Sequence, residues 1–176
     1  MSNTPGAVDE GTATIALYLM ISAIRYLSLS ERRLRELKWK PSISGKAHDL
    51  TGRTLAILGL GGIGLRFAEM TRGFPMRVIY HNRNKVADAP EWCEYFENID
   101  EMLAQADVLS VHVPLNDNTV GLVGDKIFNA LKPGAVIVNT ARGKVIDEEA
   151  LIRALESGHV SNPISIDLKG GCSLFL

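Results

Sequence analysis

Residues Gly59-Leu60-Gly61-Gly62-Ile63-Gly64 set three glycines at the spacing G-x-G-x-x-G, directly after Thr54–Leu58 (TLAIL) and at the start of a helical pattern over Ile63–Arg72. No other stretch constrains the fold as tightly. A short β-rich run without polar alternation reads as a strand covered on both faces. Gly59 permits a sharp turn out of that strand. Gly61 lets the backbone come close to an anionic group, and Gly64 lets the helix lie close to the strand. The helix start adds unpaired N–H groups and the positive end of its dipole. The pattern predicts a strand–turn–helix unit that seats a pyrophosphate.

The rest of the chain repeats the same alternation. Arg77–Tyr80 (RVIY), Val108–Val113 (VLSVHV) and Ala135–Asn139 (AVIVN) read as strands, with a weaker one near Cys93–Phe96. Ile99–Ala106, Asp125–Leu131 and Asp147–Ser157 read as helices, the last with three acidic residues in its first turn. Helices between short apolar strands imply crossover connections and a parallel sheet. The expected fold class is α/β, a doubly wound parallel sheet of the Rossmann type, with ligands at the carboxyl ends of the strands. Residues 1–50 read as a linking helix (9–28) and a connector, 51–161 as the nucleotide-binding domain, and 162–176 as a tail of different character.

Bulk properties exclude several function classes. A net charge of −1 over 176 residues gives no electrostatic basis for binding nucleic acid or an anionic membrane. The apolar run Ile15–Ile24 is too short to cross a bilayer, which takes roughly 20 apolar residues, and follows Asp9 and Glu10 rather than basic residues. Cys93 and Cys172 make no disulfide framework and suit free thiols in a reducing compartment, so a cytoplasmic location is expected. The basic stretch Glu31–Lys40 reads as a solvated helix end.

The end of the second strand bears on the choice of dinucleotide. An NAD site usually has an Asp or Glu about 20 residues beyond the glycines, accepting from the ribose hydroxyls. Here the chain reads Tyr80-His81-Asn82-Arg83-Asn84-Lys85, with no carboxylate. A guanidinium can pair with a 2′-phosphate, which a carboxylate would repel. NADP(H) is expected in preference to NAD(H).

Four segments carry a resemblance to a known family: SNTPGAVDEGTA (2–13), HDLTGRTLAILGLGGIG (48–64), ADVLSVHVPLNDNT (106–119) and LKPGAVIVNTARGKVIDEEALIRAL (131–155). Together they resemble the D-isomer-specific 2-hydroxyacid dehydrogenases, over residues 2 to about 161. HNRNK resembles the glyoxylate and hydroxypyruvate reductase branch, particularly fungal-type members that favour NADPH. The resemblance implies a hydride exchange between the cofactor and a small 2-keto or D-2-hydroxy acid, and a homodimer formed through the helix over 9–28. It implies that Arg142 holds the substrate carboxylate and polarises its carbonyl. It implies cofactor contacts from Gly62 and Ile63 to the pyrophosphate, from Asn82 and Arg83 to the adenosine ribose, and from Val113, Pro114 and Thr119 on the adenine side. Thr140, Ala141 and Arg142 are implied beside the nicotinamide ribose. Asp167 stands one position from the family's nicotinamide-contacting Asp.

The family's catalytic Glu and His have no counterpart in this sequence. None of His48, His81, His112 and His159 falls in the family's motif for the general acid. The separate substrate domain is largely absent too, so little or no turnover is expected of this chain by itself. Two other readings stay open: a noncatalytic dinucleotide-binding module, and an inactive fragment of such an enzyme.

Overall fold

The computed structural model describes residues 6–38 and 47–165. Six strands form one sheet: β1 (Thr54–Leu58), β2 (Arg77–His81), β3 (Cys93–Tyr95), β4 (Val108–Val111), β5 (Ala135–Asn139) and β6 (Val160–Ser165). Their spatial order is β3-β2-β1-β4-β5-β6, and every neighbouring pair runs parallel. Around the sheet lie α1 (Asp9–Arg25), α2 (Leu27–Arg35), α3 (Gly62–Thr71), α4 (Ile99–Leu103), α5 (Asp125–Ala130) and α6 (Glu148–Glu156). This is the expected doubly wound parallel sheet.

Strand alternation divides the core into two layers. Leu55, Ile57, Val78 and Tyr80 face one side, with Phe67 of α3 and Ala16 and Met20 of α1. Ala56, Leu58, Ile79 and Leu109 face the other, with Met102, Phe128 and Leu151 of α4, α5 and α6. All five positions of β1 and of β5 are buried, as strands covered on both faces require.

Three local features depart from the simplest sequence reading. The helix expected over 9–28 breaks at Tyr26, whose left-handed backbone (φ 54°, ψ 39°) ends α1 and starts α2. The fourth strand ends at Val111, short of the expected Val113; the His112 N–H still donates to the Leu58 carbonyl at 2.9 Å, and its own carbonyl lies against Gly59. Val160–Ser165 continues as an edge strand past Ser161, where the tail was expected to begin. Pro163 falls in the register shift opposite Val136–Val138, in the strand that ends the sheet among the described residues. Among the described residues no single helix is long and apolar enough to cross a membrane.

Candidate functional site

Sheet order reverses between β1 and β4, and the loops leaving these two strands diverge there. A ligand crevice belongs at such a switch point. A cavity of about 480 Å³ opens there. Leu58 and Gly59 line it from the end of β1, His81 to Asn84 from the end of β2, and His112 to Pro114 from the loop after β4.

The glycine turn is built as its spacing predicts. Gly59 has φ +99°, which side chains rarely adopt, and a Cβ there would come within 3.0 Å of the His112 carbonyl carbon. A Cβ on Gly64 would collide with the Gly59 carbonyl oxygen, so α3 can lie on β1 only without one. Gly61 has nothing within 4 Å of its Cβ position. It is the N-cap of α3, with no side-chain cap bond. Open space at Gly61 and an uncapped helix end together fit a diphosphate.

Asn82 and Arg83 share the next wall of the cavity. The Leu60 N–H donates to Asn82 Oδ1 at 2.6 Å, tying the end of β2 to the glycine turn. This bond uses the amide oxygen and leaves the Nδ2 donor for a ligand. Arg83 is exposed and makes no ion pair among the described residues. Among the described residues no Asp or Glu lines the cavity.

Val113, Pro114 and Thr119 close the opposite wall. The Thr119 hydroxyl donates to the Pro114 carbonyl at 2.6 Å and accepts from the Asn116 N–H at 2.8 Å, which folds the 114–119 loop on itself. His112, on the cavity wall, lies 2.8 Å through Nε2 from the Ser110 hydroxyl and packs at a tilt of 44° against Phe67, ring centres 5.5 Å apart. Desolvation lowers its pKa from 6.5 to about 4, so the imidazole is neutral near pH 7. His81 Nδ1 lies 2.9 Å from the Phe96 carbonyl, and His159 Nε2 lies 3.0 Å from that of Leu131.

The Thr140-Ala141-Arg142 turn follows β5. It does not line the cavity, and neither do Gly62, Ile63 and Gly64 of α3. Asn139, fully buried, brackets the turn: its Oδ1 accepts from the Ala141 N–H at 3.0 Å and its Nδ2 donates to the Arg142 carbonyl at 3.0 Å. Sequence reasoning passed over Asn139; an Asn two residues before a backbone N–H that needs an acceptor is the turn signal that marks it. Arg142 is exposed, and its Nη1 donates to the Ala141 carbonyl at 2.7 Å. The Thr140 hydroxyl is buried without a partner among the described residues. Asp167 lies outside the described residues.

Comparison with known proteins agrees with this architecture. The family model described as D-isomer specific 2-hydroxyacid dehydrogenase, NAD binding domain, matches residues 17–165. The chain is 42% identical over 160 residues to 4-methyl-2-oxopentanoate reductase A of Aspergillus oryzae, covering 91% of this chain and 48% of that protein. It is 40% identical over 166 residues to glyoxylate reductase 1 of Saccharomyces cerevisiae, covering 91% and 47%. The crystal structure of a glyoxylate reductase from Paecilomyes thermophila superposes with a TM-score of 0.90 at 42% identity, covering 99% of this chain and 53% of that one. The chain thus spans about half the length of the curated relatives it matches. Parallel sheet, glycine turn and matched length lead to one conclusion: the chain belongs to the D-isomer specific 2-hydroxyacid dehydrogenases and holds their NAD-binding domain.

Proposed function

We propose that this chain is the cofactor-holding part of an oxidoreductase that prefers NADP(H) to NAD(H) and acts on a small 2-keto acid, glyoxylate or hydroxypyruvate. One observation carries the cofactor choice. Asn82 and Arg83 line a crevice beside the glycine turn, and among the described residues no carboxylate lines it. A cationic wall of this kind favours a 2′-phosphate.

A bound nicotinamide supplies or accepts the hydride. The chain's own residues bind and orient. The uncapped start of α3 takes the diphosphate, and the Val113–Pro114 wall packs on the adenine. Arg142, at the carboxyl end of β5 on a turn clamped by Asn139, offers a permanently charged planar fork. Such a group holds the substrate carboxylate and stabilises charge that develops on the carbonyl oxygen. Asp167 is kept as a nicotinamide contact. We assign the whole protein to the cytoplasm, as a homodimer with no nucleic-acid or membrane partner.

A noncatalytic dinucleotide-binding role is the second reading. It is favoured by the histidines: His81, His112 and His159 each hold one ring nitrogen against Phe96, Ser110 and Leu131, and none falls in the family's motif for the general acid. A general acid contributes roughly 10²–10⁴-fold, so turnover reports directly whether one is in place. Titrating the chain with NADPH and NADH, then assaying NADPH oxidation with glyoxylate, hydroxypyruvate and 4-methyl-2-oxopentanoate, separates the cases. Binding of NADPH tighter than NADH with little turnover is expected. Equal affinities remove the 2′-phosphate argument, and steady turnover near the enzyme median of about 10 s⁻¹ removes the noncatalytic reading.

A further inference from the structure

The first turn of α1 lays a carboxylate against the start of α3. A Cβ on Gly62 would overlap the Asp9 side chain, so Gly62 is bare where Asp9 fills the space. The next residue fixes this arrangement. Arg66 of α3 donates through Nε to Glu10 Oε2 at 2.5 Å and through Nη2 to Glu10 Oε1 at 3.2 Å. Its Nη1 reaches Glu69 at 3.0 Å, which anchors the guanidinium to its own helix. The two-point pair ties α1 to α3 one residue from Asp9. Gly61 caps the same helix end without a side-chain bond. A helix N-terminus attracts negative charge, and here the chain supplies some of its own.

We propose that Asp9 is a built-in electrostatic competitor of the dinucleotide's diphosphate. This rests on the reading of the glycine turn as the diphosphate seat. An incoming diphosphate meets the Asp9 carboxylate at the end of the same helix, and binding must push that side chain away or bear the repulsion. Diphosphate affinity is thereby set below what the helix end alone would give, and the seating of the first turn of α1 is linked to cofactor occupancy. Glu10 takes no part, because its charge is committed to Arg66.

Calorimetric titration of the 176-residue chain with ADP-ribose and with adenosine tests the idea. Asp9→Asn should tighten ADP-ribose about three- to tenfold at low ionic strength, for a unit charge facing two phosphates across several ångströms of partly solvated space. The gain should shrink as salt is added, and adenosine affinity should stay unchanged. Glu10→Gln removes an equal charge one residue away and should leave ADP-ribose affinity nearly as it was. Asp9→Ser, uncharged and smaller in the first turn of α1, serves if Asp9→Asn melts early, and should tighten ADP-ribose in the same way. Unchanged or weaker ADP-ribose binding in the Asp9 variants overturns the proposal while leaving the dinucleotide reading intact. So does an equal gain from Glu10→Gln. Failure of wild type and Asp9 variants alike to bind ADP-ribose overturns both.

Discussion

Single side chains put the proposed cofactor preference and a pH response to the test. Arg83 lines the cavity and makes no ion pair among the described residues, so Arg83→Ala should leave the fold intact. It should weaken NADPH binding by about 1.5 kcal/mol, the low end for a charge-assisted bond given the exposure of the side chain, and spare NADH. Equal weakening of the two in parallel titrations would assign Arg83 to the shared adenosine moiety. Asn82→Asp keeps the acceptor for the Leu60 N–H and exchanges the donor for a charge, which should move preference toward NADH. His112 gives a stability test. Its folded pKa of about 4 lies below the ordinary 6.5, so the unfolded chain binds the extra proton between these values. Its contribution is fully present above pH 6.5 and is lost as pH falls toward 4. The full shift corresponds to about 3 kcal/mol, and partial exposure at the cavity wall reduces it to about 1–2 kcal/mol. Urea midpoints of wild type and His112→Asn should therefore converge on acidification; a constant gap between pH 7 and 4.5 would show that His112 titrates normally.

At the scale of elements, the glycine turn separates two roles that its spacing merges. A methyl on Gly64 meets the Gly59 backbone oxygen, which cannot yield, so Gly64→Ala should lower stability by about 1–3 kcal/mol. Gly61 has an extended backbone (φ −92°, ψ −164°) and open space around its Cβ position. Gly61→Ala should hold stability within about 0.5 kcal/mol and still lose dinucleotide affinity, because the methyl points where the backbone must meet the ligand. Thermal melts with and without NADPH read both effects, and a large loss of stability in Gly61→Ala would refute the division. The strands were legible because uninterrupted apolar runs, bounded by Gly, Pro and Asn, have few alternative readings. β6 was less legible, since Pro163 argues against a strand unless the segment is known to lie at the sheet edge, and edge position is a property of topology. The break at Tyr26 was not legible either, because the apolar pattern runs through it unchanged.

The whole domain offers a coarser test. A ligand that binds only the folded state at 100 times its Kd adds about 2.7 kcal/mol of stability. For a domain of this size that corresponds to a rise in Tm of roughly 5–10 °C. NADPH should produce such a rise, NADH a smaller one at equal concentration, and adenosine less again. No rise with any of them would mean that the cavity beside Gly59 does not take a dinucleotide.

The sequence by itself determined the strand–helix alternation, the glycine turn and the lack of a carboxylate after β2, since each depends on residues close together in the chain. Distance along the chain hid the rest. Asp9 and Gly62 lie 53 positions apart, Leu60 and Asn82 lie 22 apart, and neither pair has a local pattern that announces contact. Only the folding of α1 across α3, and of β2 beside β1, brings a carboxylate to the helix end and an amide to the glycine loop. Short-range order follows from propensity and periodicity; the charge balance of the site follows from which elements the sheet makes neighbours.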